Sequence, residues 1–337
     1  MDKSSHFVEK LPDLRSALWR LLSQVPPGLV TTYGRLAKSL GDIAASRWVG
    51  EYLRHHQHHH HCPCHRVVRV DGTLGVYVSG DTRDKALLLE RDGVPIRNQR
   101  VDLDEFVFDE FESEHPLQQL IDWQNELGDA VKLTIPRKLP RWVGGVDVSY
   151  GRHDLATAAY TLVDITTGEL VWQITCSRPV EFPYISSYLA FRELPILLDV
   201  MDLASDEGQL SDVVMVDGSG VLHPRRCGVA TMLGVIAGIA TIGVTKKLLC
   251  GQYDVRHLGY GHSMPIELDG EHLGTAILPH AGTSKPLHVS PGHRVDVATA
   301  TAVVSETIGE HRLPEPIYWA DRVSREESHR AAVRGEG

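Results

Sequence analysis

Two groups of residues in this chain could do chemistry. The first is the run HHQHHHHCPCHRVVR, from His55 to Arg69, where two cysteines follow a tract of imidazoles. A histidine beside a cysteine can withdraw the thiol proton and leave a nucleophile, and the same residue types can hold a soft metal. A purification tag is excluded, because the tract lies well inside the chain. The second group is acidic: Asp147, Glu193 and Asp217, each set among apolar runs. Carboxylates that converge repel one another unless a cation neutralises them, and oxygen ligands suit hard divalent ions. Magnesium held in that way can activate water and stabilise charge developing on a phosphodiester. The plain alternative is that Asp147 and Asp217 only terminate strands.

The elements that must position these residues fall into two halves. At 337 residues and 42% hydrophobic content the chain can bury two cores of ordinary size. Upstream the pattern is mainly helical. PDLRSALWRLLSQV carries apolar residues at helical spacing, and TTYGRLAKSLG followed by AASRWVGEYLR reads as helix, tight turn, helix. Such a pair can place its second helix in a DNA groove, although most helix pairs are only packed helices. Downstream, RWVGGVDVSY, ATAAYTLVDI and LVWQITCSRPV read as three strands. A helix (SSYLAFRELPILLDVMDLA), a strand (DVVMVDGSG), a helix (RRCGVATMLGVIAGIA) and a strand (TIGVTKKLLC) follow. That order matches a mixed α/β sheet of the ribonuclease H-like type. It would place Asp147 on the first strand, Asp217 at the end of the fourth beside it, and Glu193 on the helix between.

Between the halves, DLDEFVFDEFESE (102–114) holds seven acids and no base. We expect residues 1–97 as one domain, 98–116 as an acidic linker, 117–325 as a second domain and 326–337 as a polar tail. Phe106, Phe108 and Phe111 are interleaved with the acids. The linker is therefore either a solvated tether or a strap whose rings dock and hold acids near the basic N-terminal surface. Residues 1–97 carry 14 Lys and Arg against 10 Asp and Glu, so the net charge of −10 does not exclude a phosphate-binding partner. Five cysteines, no signal-peptide core and no apolar run of membrane-spanning length lead us to expect a cytoplasmic chain with no membrane partner.

Taken in order, GGVDVSY, EFPYISSYLAFRE, VDGSGVLHPRRCGVA, TIGVTKKLLCG, HVSPGHRVDVATA and RLPEPIYWAD resemble endonuclease V along residues 117–325. The resemblance implies that Asp147 and Asp217 bind metal and that Glu193 is the catalytic glutamate, itself a metal ligand. Asp321 falls on a further acidic or histidine position of the metal site. Lys246 matches a lysine near the scissile phosphate, where it can stabilise developing negative charge. His223 and His293 are expected near the site, His223 as a nucleic-acid contact, with a structural role for either equally open. Pro183, Tyr184 and Ile185 match a wedge that fills the duplex beside an extruded base. Ser186 stands where the wedge usually continues with proline. The implied chemistry is magnesium-dependent hydrolysis, with manganese as a substitute, 3′ to deoxyinosine.

PCHRVVRVDG resembles the active site of O6-alkylguanine-DNA alkyltransferases, and the resemblance runs over residues 8–96 from TTYGRLA through SRWVG to LLLERDGV. It implies that Cys64 takes the alkyl group from a flipped guanine while His65 withdraws the thiol proton. Arg47 matches the finger inserted where the base leaves, and Tyr33 the tyrosine pressed on its phosphate. Four departures stand out. His56 replaces an asparagine, Asp92 a supporting glutamate, GVYVSG a glycine-rich loop, and HHHC a short apolar strand. The region lacks the extra N-terminal module of the full-length enzymes and so resembles the shorter lesion sensors, although those replace the cysteine kept here. Zinc at the tract is the least favoured reading, because Cys-x-Cys beside contiguous histidines lacks a finger's spacing. A solvated tract and a DNA-facing or pH-sensitive loop come before it.

The expectation is thus a bifunctional DNA-repair enzyme, monomeric, acting on double- or single-stranded DNA that carries deoxyinosine or O6-alkylguanine. Inosine-containing RNA is a further candidate partner. The alternative is an endonuclease V whose N-terminal domain only senses alkyl lesions.

Overall fold

The helices read from the first hundred residues are present in the computed structural model. It describes residues 3–57, 62–134, 139–259, 261–280, 283 and 285–334. A short α1 (Lys3–Val8) comes first. In α2 (Leu14–Leu22) the Asp13 carboxylate accepts the Ser16 N–H, and Leu14, Leu18, Leu21 and Leu22 turn inward. β1 (Thr31–Thr32) leads into α3 (Tyr33–Ser39), which Thr32 caps by accepting the Arg35 N–H. Gly41 breaks the chain away at φ 111°, a conformation that costs glycine little. The second helix of the pair, α4 (Ser46–His55), buries Val49 and Leu53 and leaves Arg47 exposed. β2 (Val67–Val68) pairs in parallel with β1, and α5 (Thr82–Arg91) and α6 (Leu103–Phe106) complete this part. Of the histidine tract, residues 58–61 lie outside the described residues.

The stretch 98–116 is packed rather than tethered. Val101, Leu103 and Phe106 join Val30, Val68 and Leu89 in one apolar cluster. Val30 N–H donates to Phe106 O at 2.8 Å, and Phe108 N–H donates to Val30 O at 2.7 Å. Asp109 pairs with Arg35, and Phe108 meets Phe111 edge to face at 4.9 Å. The apolar residues between the acids complete a core that the helices before residue 98 would leave open to water. One compact unit accordingly runs Leu11–Asp122 and includes Phe182–Leu189. The other comprises Met1–Lys10, Trp123–Glu181 and Ala190–Gly337. α1 belongs to this second unit, contrary to the expected first domain, because buried Phe7 packs on Trp123 and Phe191 at 4.9 and 6.2 Å.

The remaining elements begin with α7 (Pro116–Asp129) and the three antiparallel strands β3 (Trp142–Tyr150), β4 (Leu155–Asp164) and β5 (Leu170–Pro179). α8 (Leu189–Asp206), β6 (Val213–Asp217), α9 (Val229–Ala237) and β7 (Ala240–Thr245) follow in the expected order. β8 (Ser263–Leu268), β9 (Glu271–Ile277) and β10 (Leu287–His293) extend the sheet beyond the sequence reading. The eight strands lie in the order β5-β4-β3-β6-β7-β10-β9-β8, with β3, β6 and β7 parallel. α10 (Val297–Glu306) and α11 (Glu315–Arg334) close the chain. Val143, Met215, Ile242 and Val289 of the sheet pack with Val303 of α10 and Ile317 of α11. Residues 326–334, expected in a polar tail, continue α11, since REESHRAAVR is rich in good helix formers. Among the described residues no helix is long and apolar enough to cross a membrane.

One close approach fixes α11. Gly145, Asp147 and Ser149 alternate onto the same face of β3. A Cβ on Gly145 would overlap the Pro316 carbonyl at the start of α11. The same carbonyl accepts the Thr161 hydroxyl at 2.9 Å. Gly145→Ala should therefore push α11 from the sheet and lower unfolding free energy by about 2–3 kcal/mol. Urea denaturation measures this, and an unchanged midpoint would show that the helix is not seated by this contact.

Candidate functional site

The parallel pairing of β3 with β6 sets the first carboxylates side by side. Val146 pairs with Val216, and Asp147 and Asp217 are the next residues on the two strands. α11 brings Asp321 and Arg325, the loop after β7 brings Lys246, and α8 brings Glu193. A cleft of about 370 Å³ is lined by Asp147, Tyr150, Asp217, Lys246, Asp321 and Arg325. Lys246 Nζ donates to Asp217 Oδ2 at 2.8 Å, and Arg325 pairs with Asp321 at 2.8 Å. The Ser324 hydroxyl lies 2.8 Å from Ser149 Oγ and 3.3 Å from Asp147 Oδ2. Tyr150 donates its phenol proton to Glu193 Oε1 at 3.2 Å.

These carboxyls resist ionisation. Burial, followed by the Asp217 and Asp321 carboxylates, pushes Asp147 up to about 7. Burial and then Asp147 push Glu193 up to about 8. Burial works against the Lys246 ammonium, but Asp217 outweighs it and holds the lysine above its ordinary value. Among the described residues no three of these carboxylates bring oxygens within 4.8 Å of one another. The donor set nonetheless fits a hard divalent cation. Its ligand atoms are carboxylate oxygens, two of the carboxyls are driven toward protonation by burial and by their neighbours' charge, and a lysine already stands against a third.

Other expected residues fall differently. His223 is buried and accepts the Arg225 N–H at Nδ1, 3.2 Å away, and burial pushes it down to about 4. It is a neutral pin for its own loop and not an exposed nucleic-acid contact. His293 is likewise buried and accepts the Lys132 N–H at 3.3 Å. In the expected wedge only Tyr184 projects, with 63% of its surface exposed, while Ile185 is buried. Ile185 therefore anchors the segment, and Pro183 is half-buried. Tyr188, in the same segment, donates to Asp42 Oδ2 at 2.7 Å.

The thiol site is built on a single turn, Pro63–Arg66. Cys64 is buried there, with 4% exposed. His65 Nε2 lies 2.8 Å from Asp92 Oδ2, and Arg66 donates to the same oxygen at 2.6 Å. Asp92, which caps the C-terminal end of α5, thus orients the imidazole. Burial works against its charge, but the Arg66 and His65 hydrogen bonds hold its carboxyl below the usual range. Burial also pushes His65 down, so the ring is neutral at pH 7 and able to accept a proton. The Cys62 hydrogen bond, then burial, push the Cys64 thiol up, and that same bond draws Cys62 down to about 5.

Sequence reasoning missed Lys85, whose buried ammonium donates to Val67 O and Leu74 O and is pushed down to about 8 by burial. The signal was present: Lys85 and Leu89 are four apart, so the lysine occupies a core position of α5. Tyr77, hydrogen-bonded to Cys64, was passed over in the same way. Arg325 was missed because the helix carrying Asp321 was ended too early. Tyr33 is half-buried with Lys85 Nζ 5.8 Å from its ring centroid, and Arg47 stands exposed on α4.

Residues 125–322 match the family described as endonuclease V, and residues 13–94 match the DNA-binding domain of 6-O-methylguanine DNA methyltransferase. A bifunctional methyltransferase/endonuclease of Picrophilus torridus is 34% identical over 90% of this chain and 93% of its own. An endonuclease V of Azotobacter vinelandii is 39% identical over 54% of this chain and 81% of its own. Among solved structures, the catalytic domain of human endonuclease V is similar with a TM-score of 0.61 and 32% identity, covering 65% of this chain and 98% of that one.

The charge on Glu193 predicts a pH dependence. A carboxyl whose pKa is raised on folding binds an extra proton in the native state, here between the ordinary value of 4.5 and about 8. Stability contributed by that proton is full below the lower value and is lost as pH rises through the upper one. Glu193→Gln should therefore raise unfolding free energy by about 1–4 kcal/mol at pH 8.5, with the gain vanishing near pH 4.5. Denaturation at the two pH values in the absence of divalent cations checks this. Equal gains at both would mean that charge is not what strains the site.

Proposed function

Because the chain belongs to the endonuclease V family, and within it to the bifunctional methyltransferase/endonucleases, we propose that it repairs DNA by two unrelated chemistries. One nicks a strand 3′ to deoxyinosine, and the other moves an alkyl group from O6-alkylguanine to Cys64. The observation that carries the first is the adjacency of Asp147 and Asp217 on parallel strands beside an open cleft, with Glu193 and Lys246 converging on them.

Asp147, Asp217, Asp321 and Glu193 would hold the cation, for which Mg2+ is our proposal with Mn2+ as a substitute. When bound, that cation supplies an activated water and neutralises charge on the phosphodiester. Lys246 adds a fixed positive charge at the oxygen that becomes more negative. Tyr150 orients Glu193 through its phenol. Arg325 and Arg322, on exposed turns of α11, offer guanidinium groups to neighbouring phosphates. Tyr184 presents an aromatic face that can replace the stacking lost when inosine leaves the helix. Inosine in RNA has the same base edge, so RNA is tested beside DNA.

In the second chemistry His65 accepts the Cys64 proton. The sulfur attacks the alkyl carbon on guanine O6, the carbon–sulfur bond forms as the carbon–oxygen bond breaks, and guanine leaves protonated. Lys85 stabilises the thiolate from below, and Arg47 on the second helix of the pair fills the place of the flipped base. Each chain acts once in this reaction, since nothing removes a thioether.

Paired oligonucleotides carrying either deoxyinosine or O6-methylguanine, with and without Mg2+, separate the two activities. Asp147→Ala should abolish nicking and leave methyl transfer intact, whereas Lys246→Ala should slow nicking about 10²–10³-fold. Cys64→Ser should do the reverse of the aspartate variant, losing methyl uptake by mass spectrometry while nicking persists. A methyl group found on Cys62 instead would overturn the acceptor assignment. Nicking at full rate by the Asp147 variant would remove the metal site.

A further inference from the structure

Outside the carboxylate cleft, one cluster of ligating side chains is drawn together, and it consists largely of residues that the alkyltransferase resemblance leaves unexplained. His56 stands where that family has asparagine, and Cys62 belongs to the segment that replaces its apolar strand. His56 Nε2 lies 3.2 Å from Cys62 Sγ. The donor atoms of His56, Cys62 and Cys64 all lie within 4.8 Å of one another. Tetrahedral zinc, with bonds of about 2.3 Å to sulfur and about 2.0 Å to nitrogen, places its donors about 3.5–3.8 Å apart. Shifts of a few tenths of an ångström to about 1 Å, which open the His56–Cys62 pair and close any wider one, bring the trio to that spacing.

Two further features orient the trio. His56 Nδ1 lies 3.0 Å from the Leu53 carbonyl, which can only accept. The ring proton is therefore on Nδ1, and the Nε2 lone pair faces the sulfurs. Histidines that bind metals are held in this way by a carbonyl on the other nitrogen. Pro63 stiffens the turn between the cysteines, so both sulfurs stay on one side of it, with 3% and 4% of the two residues exposed. Two thiolates and an imidazole form a soft donor set that suits zinc and disfavours magnesium, and three protein ligands leave a fourth position open.

We propose that His56, Cys62 and Cys64 form a zinc site, and that zinc and the alkyl group compete for the Cys64 sulfur. The competition rests on the acceptor role given to Cys64 above; the site itself does not. Zinc held by the sulfur withdraws its electron pair from attack. Alkylation turns that thiolate into a neutral thioether, a poor ligand, and leaves zinc with one thiolate and one imidazole.

The test uses the full chain in a non-thiol reductant with Mg2+ saturating the oxygen site. Titration with Co2+ should give a thiolate-to-cobalt charge-transfer band at one equivalent, and Zn2+ should displace it. His56→Asn and Cys62→Ser, both close in size, should each weaken Zn2+ binding at least about tenfold. Cobalt bound without the band would mean that the histidine tract alone takes metal, and that result overturns the site. A band undiminished in Cys62→Ser overturns it as well. Competition is read by mass spectrometry as carboxymethylation of Cys64 by iodoacetate, which needs no repair activity, and then as methylation by O6-methylguanine DNA. Zinc should slow both at least about tenfold, and a chelator should restore them. The band together with unslowed carboxymethylation ends the competition and spares the site. Slowed carboxymethylation with no methylation at any metal level counts against the acceptor role alone.

Discussion

Like charges held out of water are the constraint around which the larger unit is arranged. Asp147 and Glu193 are buried near Asp217 and Asp321, and each is driven toward its protonated form. The neighbours answer one carboxylate at a time: Lys246 at Asp217, Arg325 at Asp321, Ser324 at Asp147 and Tyr150 at Glu193. The scaffold serves the same end. Parallel strands place two aspartates side by side, and a glycine two residues earlier lets α11 approach with the third. The stability given up at these positions is the counterpart of a site that gains most when a cation arrives.

Much of this was legible in the sequence because the hydrophobic period changes visibly along it. The β-rich run ATAAYTLVDI and the long apolar run of SSYLAFRELPILLDVMDLA locate β4 and α8, and the element order of a ribonuclease H-like sheet implies that β6 lies beside β3. β8 was not legible as a strand, since Ser263–Leu268 is half exposed, interrupted by proline and only partly apolar, and β9 and β10, though largely buried, carry glycines and in β10 a proline that break a strand's pattern. α11 was cut short because its last turns bury little and so carry no periodic signal, although their residues favour helix. The phenylalanines among the acids were visible, but only the structure shows that Phe106 belongs to the first unit's core. Burial separates Tyr184 from Ile185 and takes His223 off the surface, and a motif match carries no information about burial.

At the acidic cleft, desolvation keeps carboxyls neutral until positive charge is supplied. At the thiol turn, the Cys62 hydrogen bond and burial hold the Cys64 thiol toward its protonated form, with a buried lysine and a histidine in the same unit. Oxygen donors in one unit and sulfur with nitrogen in the other also differ in softness, so that hard and soft cations suit different sites of one chain.

Residues 3–8 pack in the nuclease unit, whereas the chain that follows them, up to residue 122, forms the other unit. In turn, Phe182–Leu189 of the nuclease sequence is part of that other unit. Synthesis on the ribosome runs in one direction, so the nuclease's first helix emerges early and must wait for more than a hundred residues before Trp123 and Phe191 exist to receive it. The alkyl-acceptor unit similarly lacks its last segment until the first three strands of the sheet have been made. Neither half can therefore finish as an independent body during translation, and a gene cut at the apparent boundary would separate each from a piece of itself.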